Sequence, residues 1–229
     1  MRLRGYKHYY SNMKISVEVI KSEEKYLSSL ESFFKEKWGD TKLWSHDLSH
    51  HKRVWEFAKE LLHYAEIQDN HFIGELLIAC FLHDLGMSAD PGERHGHHSR
   101  KLCEEFLSDN NMDPADYADL LEAIENHDNK EYTDSPSGNN LLQLLSVADD
   151  LDAFGYTGIY RYLDIYRERG IKPEVLIPMV LKNAANRYNN LKKNFSNYPE
   201  LIRRHHSRYI VLSDFFENLH SEISGDDLC

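Results

Sequence analysis

The chain has 229 residues, of which 41% are hydrophobic, so it is long and apolar enough for one domain with a full buried core. Its 38 acidic side chains outnumber the 27 basic ones and give a formal net charge of -11. A DNA or RNA polymer would therefore meet a mostly repulsive field, and we expect no polymeric nucleic acid partner. A small anionic substrate is still compatible with this negative net charge, because a bound divalent cation can reverse the sign of the charge locally.

The cysteines and the apolar segments indicate the compartment. Cys80, Cys103 and Cys229 have no CxxC spacing, which predicts no disulfide framework and favours a reducing cytoplasm. The opening segment MRLRGYKHYYSNMK is basic but is not followed by an apolar stretch. No run reaches the roughly 20 apolar residues that cross a bilayer. We therefore expect a cytoplasmic protein that is neither exported nor inserted in a membrane.

Apolar residues recur at intervals of three and four along most of the chain, and the alternating runs typical of strands are missing. This pattern predicts an all-α fold, organised as a single domain over residues 1–229. The first predicted helix runs from Ser16 to Trp38. The second has Val54 and Leu61 on its apolar face, and His50 lies in phase with them.

The segment FIGELLIACFLHDLG is apolar on almost all sides and predicts a buried central helix that ends at His83 and Asp84. Gly86 is expected to stop this helix in a left-handed conformation, which would let both side chains reach one ion. The next segment, MSADPGERHGHH, predicts a histidine-rich loop. Further on, LLQLLSVADDLDAFG predicts a helix with Asp149 and Asp152 on its apolar side.

Three other features complete the predicted fold. Asp113 and Pro114 are expected to cap and open a helix that carries His127 on its inner face. The segment NKEYTDSPSGNN predicts a turn-rich loop. In the C-terminal region, Pro178 is expected to kink one helix, and His205-His206 are expected to be one core and one surface residue.

Four side chains with ligand chemistry, His50, His83, His127 and Asp149, lie in phase with the apolar faces of different predicted helices. A metal ion is one of the few partners that can satisfy a buried carboxylate and several imidazoles together. Mixed imidazole and carboxylate ligation suits Mn, Fe, Co, Ni or Zn, with Mg as a further option. A single buried histidine is more often a satisfied core residue than a ligand, so the combination carries the prediction.

Three motifs together resemble the HD-domain metal-dependent phosphohydrolase superfamily, in particular its small stand-alone bacterial members. They are His50-His51-Lys52-Arg53-Val54, Leu82-His83-Asp84-Leu85-Gly86 and Ala148-Asp149-Asp150-Leu151-Asp152-Ala153, and the preceding His46-Asp47 also fits. The resemblance spans residues 45–161 and implies an HD-domain helical bundle with extra N- and C-terminal helices, the latter over 172–224. It implies the metal ligands His50, His83, Asp84 and Asp149, with the metal activating a water to attack a phosphoryl group.

The resemblance leaves open whether one or two ions bind. Some HD proteins add two histidines between the HD pair and the last aspartate, and the HD aspartate then bridges two ions. His95 and His127 fit that pattern best, and His98 is the alternative to His95. His97 is expected to face solvent. A histidine-rich loop can also simply be solvated.

The chain departs from its relatives at three places. Met87 stands where many HD enzymes have a lysine that can contact phosphate. Asp150 stands where small HD hydrolases often have a basic residue. The sequence Asn126-His127-Asp128 and the lack of a GYP motif argue against a cyclic-dinucleotide phosphodiesterase.

The resemblance also suggests roles for charged side chains near the ligands. Asp84, as a ligand or bridge, would orient the attacking hydroxide. Asp152 would support a ligand or assist proton transfer, or would be an ordinary capping or salt-bridge residue. Arg53 and Arg161 would contact phosphate, or would be surface charges of their helices.

Three functions remain compatible with the sequence. The first is a metal-dependent phosphohydrolase acting on a small phosphorylated metabolite or a nucleotide. The second is an HD-fold diiron oxygenase with the same ligand set, and the third is a non-catalytic HD module that binds a metal or a nucleotide. The complete set of core ligands argues against the third. Assembly as a homo-oligomer is left open.

Overall fold

The computed structural model describes residues 16–90, 92, 94–129 and 140–225. Within these ranges the α-helices are, in chain order, α1 Val17–Trp38, α2 Leu48–Tyr64, α3 Asn70–Leu82, α4 His95–Asp109, α5 Ala118–Asn126, α6 Asn140–Asp152, α7 Gly155–Glu168, α8 Pro173–Phe195 and α9 Pro199–Ser224. Short 3-10 turns occur at Trp44–His46, Leu85–Ser88 and Pro114–Asp116. The described part of the chain has no strand, which confirms the all-α prediction.

Some of the predicted features cannot be compared with the structure. The basic opening segment, most of the predicted turn-rich loop that precedes α6, and Cys229 lie outside the described residues. Cys80 and Cys103 are buried as free thiols. None of the described helices combines the length and the apolar character that crossing a bilayer requires.

Helix α3 is the centre of the fold. Every residue from Ile73 to Leu82 is buried, and the helix contacts α1, α2, α4, α5 and α6. The Asp69 side chain caps its start by accepting from the Phe72 backbone N–H at 2.9 Å. Each fully buried Leu, Ile or Phe contributes about 1.5–3 kcal/mol relative to exposure, so this helix anchors the core and fixes the position of the residues at its end.

The two helices before α3 are those that the sequence predicts. Leu30, Phe34 and Trp38 form the buried stripe of α1. At the start of α2, the Asp47 side chain accepts from the backbone N–H groups of Ser49 and His50. This cap fixes the first turn of α2, where His50 lies.

Gly86 does not end α3 in the predicted way. The helix ends at Leu82, and Gly86 lies in the following 3-10 turn without a positive φ. A Cβ atom at Gly86 would overlap the backbone oxygen of His95 and the backbone nitrogen of Ser99, and the Gly86 N–H donates to the Ser99 hydroxyl at 2.8 Å. The glycine is therefore needed because α4 packs directly against this turn.

Two further predictions on local structure need correction. His95, His97 and His98 lie in the first turn of α4 and not in a loop. The predicted helix at Pro114 is a short 3-10 turn, and α5 begins only at Ala118, because Tyr117 has a non-helical conformation. Pro178 lies inside α8, which continues to Phe195, and the kink expected there stays a prediction.

The C-terminal helices α7, α8 and α9 pack around a second apolar cluster that includes Ile177, Val180 and Phe216. Helix α8 also contacts α6, which links this cluster to the main core. His205 is buried and His206 is exposed, as predicted. Nε2 of His205 lies 3.2 Å from Oε2 of the buried Glu60.

The packing at Gly86 predicts that Gly86→Ala will lower the free energy of unfolding by about 1–3 kcal/mol, because the added methyl group must displace backbone and not a flexible side chain. Urea unfolding of the metal-free protein measures this loss. Gly74→Ala in α3 is the control, since its Cβ would meet only the Tyr26 ring, with a nearest approach of 3.1 Å. Equal losses in the two variants would contradict the prediction.

His205 predicts a pH dependence of stability. Burial lowers the pKa of His205 to about 4, from an ordinary value of 6.5, despite the nearby Glu60 carboxylate. As pH falls from 6.5 toward 4, His205 is protonated in the unfolded chain before it is protonated in the folded protein. The free energy of unfolding therefore decreases with falling pH. The stability difference between pH 7 and pH 5 should be smaller in His205→Gln than in the wild type, measured by urea unfolding. His206→Gln is the exposed control, and identical pH slopes in all three proteins would refute the prediction.

Candidate metal centre

Four of the predicted ligands converge at one point. His50 comes from the first turn of α2, His83 and Asp84 from the end of α3, and Asp149 from the last turn of α6. All four are buried, and each offers a ligand atom within 4.8 Å of the others. His50 Nε2 lies 3.3 Å from His83 Nε2 and 3.7 Å from Asp149 Oδ1. We call these residues the first ligand group.

Asp84 also belongs to a second ligand group, formed with His95 and His127. Its Oδ1 lies 2.9 Å from His127 Nε2 and 3.4 Å from His95 Nε2. Its Oδ2 lies 3.3 Å from His83 Nε2 and 3.5 Å from His50 Nε2. The two oxygens of one carboxylate therefore face two different groups of imidazoles.

All four imidazoles of the two groups present the same nitrogen to Asp84. On the other side of each ring, Nδ1 faces an oxygen acceptor. His50 Nδ1 faces Asp152 Oδ2, and His83 Nδ1 faces the Cys80 carbonyl oxygen. His95 Nδ1 faces the Gly92 carbonyl oxygen, and His127 Nδ1 faces that of Ile124. Because a carbonyl oxygen or an ionised carboxylate can only accept, each ring donates its Nδ1–H and directs Nε2 toward the centre, where Nε2 becomes a ligand once its own proton is lost. This is the tautomer that metal-ligating histidines adopt, so the residues present fit a metal ion.

The charges in the centre are strongly coupled. Burial alone would raise the pKa of the Asp84 carboxyl, but His83, His127 and His50 hold it well below its usual range. Burial would likewise lower the pKa of His95, and the Asp84 carboxylate outweighs it and raises that pKa to about 9. A metal ion binding here would therefore have to displace a proton, which makes its affinity dependent on pH.

Asp152 lies behind His50. Its carboxylate is fully buried, accepts from His50 Nδ1 at 2.8 Å, and is bonded by Arg53 Nε at 2.7 Å and Arg161 Nη1 at 3.1 Å. Burial opposes its ionisation, but Arg161 and His50 hold the pKa of this carboxyl below its usual range. Its contact with Nδ1 places Asp152 to orient the His50 ring, and its role in the reaction stays a prediction.

The predicted arginines are placed differently from one another. Arg53 forms a two-pronged ion pair with Asp152 and also donates to the Ser49 hydroxyl at 2.9 Å. It is not among the residues that line the cavity at the metal centre, and its predicted phosphate contact stays a prediction. Arg161 is buried and does line that cavity.

The three histidines of α4 have different surroundings, as the resemblance suggests. His95 belongs to the second ligand group, whereas His98 Nε2 lies 4.0 Å from Asp90 and is in neither group. His97 is exposed over 42% of its side chain and pairs with Glu125. That these placements reflect metal ligation stays a prediction.

Arg187 of α8 is the residue that sequence reasoning missed. Its Nη1 donates to Asp150 Oδ1 at 2.7 Å and lies 3.3 Å from Asp149 Oδ2. Asn190, also on α8, donates to the other oxygen of Asp150 at 2.8 Å. No motif surrounds Arg187, but Asp150 gave a signal, because an acidic residue beside a core ligand is buried and needs a cationic partner.

A cavity of about 280 Å³ opens at the metal centre. Its lining residues are His46, Asp84, Met87, His95, His127, Asp128, Asp149, Ala153, Arg161, Tyr162, Ile165, Tyr166, Arg169, Asn183 and Arg187. One part of the wall therefore consists of candidate ligands, and another part consists of arginine and tyrosine side chains.

The position of Asp152 predicts that Asp152→Asn will weaken metal binding by about 10- to 100-fold, because the amide holds the His50 tautomer less firmly. Competition with a chelating dye measures this affinity, and thermal unfolding checks that the variant folds. Asp214→Asn, an exposed position on α9, is the control. Unchanged metal affinity in a folded Asp152→Asn protein would contradict the role given to Asp152.

Comparison with known proteins gives the following matches. The HD domain family model matches residues 47–154. A solved structure described as a predicted HD superfamily hydrolase, from an uncultured Thermotogales bacterium, is 24% identical, with 76% of this chain and 91% of that chain covered and a TM-score of 0.48. A protein from Lactobacillus plantarum is 19% identical, with 88% and 98% covered and a TM-score of 0.60, which shows a shared fold. No curated protein matches the chain.

Proposed function

Because residues 47–154 of this chain form an HD domain, we propose that the protein is a metal-dependent phosphohydrolase. The proposed substrate is a small phosphorylated metabolite or a nucleotide. The observation that carries the proposal is the position of Asp84, whose two oxygens face two groups of buried imidazoles that all present Nε2. This donor set suits Mn, Fe, Co, Ni or Zn, and Mg is a further option.

The first ligand group would hold one ion, and Asp84, His95 and His127 would hold a second. A bound divalent cation supplies a water of lowered pKa and polarises a phosphoryl oxygen. Asp84 lies between the two groups and would orient the attacking oxygen. Asp152 keeps His50 in the ligating tautomer, and Arg161 places a fixed positive charge on the cavity wall.

The electrostatics of the cavity support an anionic substrate in an acidic protein. Its wall carries the carboxylates Asp84, Asp128 and Asp149 and the guanidinium groups of Arg161, Arg169 and Arg187, so these formal charges cancel. Any divalent cation would then make the cavity positive. Its volume of about 280 Å³ suits a small molecule and not a polymer. A cytoplasmic location, the lack of membrane and nucleic acid partners, and the choice between monomer and homo-oligomer stay expectations.

The proposal predicts that the purified protein will release phosphate from at least one member of a panel of nucleotides and phosphate esters, in the presence of Mn, Co, Ni, Mg or Zn. Asp84→Ala should lower this rate by at least about 100-fold, because it removes a ligand from both groups. Asp214→Ala is the control. The lack of any phosphate release that depends on both the metal and Asp84 would refute the proposal.

A diiron oxygenase is the second candidate, since a carboxylate that faces two imidazole groups would also bridge a pair of irons. Metal analysis of protein purified without added metal, together with oxygen-consumption assays, distinguishes the two. Two irons per chain and substrate-dependent oxygen uptake would favour the oxygenase. If Asp84→Ala lost its metal but bound nucleotide unchanged, the chain would be a non-catalytic module.

A further inference from the structure

The part of the cavity wall that lies away from the ligands is built by α7 and α8, both of which follow the segment that matches the HD domain. These helices contribute Arg161, Tyr162, Ile165, Tyr166, Asn183 and Arg187. Apart from the aliphatic Ile165, these side chains are basic, aromatic or amide groups, whereas the metal-binding wall consists of imidazoles and carboxylates. The chain therefore adds a polar surface of its own to the HD site.

Two arginines lie on either side of Asp149. Arg187 Nη1 is 3.3 Å from Asp149 Oδ2, and Arg161 Nη1 is 4.0 Å from Asp149 Oδ1. Each guanidinium is also fixed by a second, fully buried carboxylate, Asp150 for Arg187 and Asp152 for Arg161. Both cations are therefore held beside a candidate metal ligand by groups that do not line the cavity.

Tyr162 lines the same cavity as the two arginines. Its side chain is buried, and its hydroxyl has no hydrogen-bond partner within the described part of the chain. Burial raises the pKa of this hydroxyl, the Asp150 carboxylate adds to that rise, and the charges of Arg187 and Arg161 oppose it. A buried hydroxyl that lacks a partner costs about 1–3 kcal/mol, which is a reason to expect a ligand atom there.

We propose that Arg161, Arg187 and the Tyr162 hydroxyl form a phosphoryl-binding subsite of the proposed phosphohydrolase. Guanidinium groups match phosphate oxygens in geometry and charge, and a tyrosine hydroxyl donates one further hydrogen bond. The subsite would bind the substrate's phosphoryl group beside the metal centre. Met87, which also lines the cavity from the turn after α3, adds no positive charge to it.

Binding of inorganic phosphate to the manganese-loaded protein, measured by titration calorimetry, tests the subsite without turnover. Tyr162→Phe should weaken phosphate binding by about 3- to 10-fold, and Arg187→Lys by about 10-fold, because each removes hydrogen bonds to the anion. Tyr162→Phe is the more specific test of the two variants. Its hydroxyl has no partner in the protein, so the change should not reduce stability or metal stoichiometry.

Arg187→Gln should bind phosphate more weakly still, by about 10- to 100-fold, but it leaves the buried Asp150 without its ion pair. Asp150→Asn combined with Arg187→Gln removes that buried charge if the single variant does not fold. Arg203→Gln, on the exposed face of α9, is the control and should match the wild type.

Two outcomes would overturn the subsite: wild-type phosphate affinity in both Tyr162→Phe and Arg187→Lys, or no phosphate binding by the metal-loaded wild type. The inference rests on the proposed function, but the two fail separately. If the wild type hydrolyses phosphate esters and the variants bind phosphate normally, only the subsite is wrong. If phosphate affinity falls as expected and no substrate is hydrolysed, the subsite stands and the proposed reaction is wrong.

Discussion

The carboxylate of Asp84, buried between two groups of imidazoles, is the interaction on which the rest of the structure depends. Helices α2 and α4, the end of α3, and the residue after α5 each bring one histidine to it. Asp149 adds a second carboxylate from α6. Bringing two buried carboxylates together is costly unless cations neutralise them, and here His95 lies beside Asp84 while Arg161 and Arg187 flank Asp149.

The inward placement of the candidate ligands could be predicted from the sequence because helical periodicity and local motifs report which side chains face inward. His50, His83, Asp84 and Asp149 lie where that pattern places them. The role of Gly86 could not be predicted, since the approach of α4 to its turn depends on a contact between segments and not on a local signal. Arg187 was missed for the same reason, because it comes from α8, outside every motif.

The three aspartates at the end of α6 show how helix geometry divides roles among neighbours. Successive residues are rotated by about 100° around the axis, so adjacent side chains face different partners. Asp149 faces the metal centre, Asp150 faces Arg187 of α8, and Asp152 faces His50 and Arg53 of α2. A motif of acidic residues therefore contains one candidate ligand and two anchors for cations from other helices.

The ion pair between Asp150 and Arg187 shows that the segment matched by the HD domain family model is shorter than the part of the chain that packs around the site. The family match ends at residue 154, yet a buried carboxylate inside it is neutralised by a side chain more than thirty positions later. If residues 47–154 were cut out and expressed alone, they would carry this charge without its partner and would lose one wall of the cavity. A fragment limited to the matched segment would therefore lack part of the site.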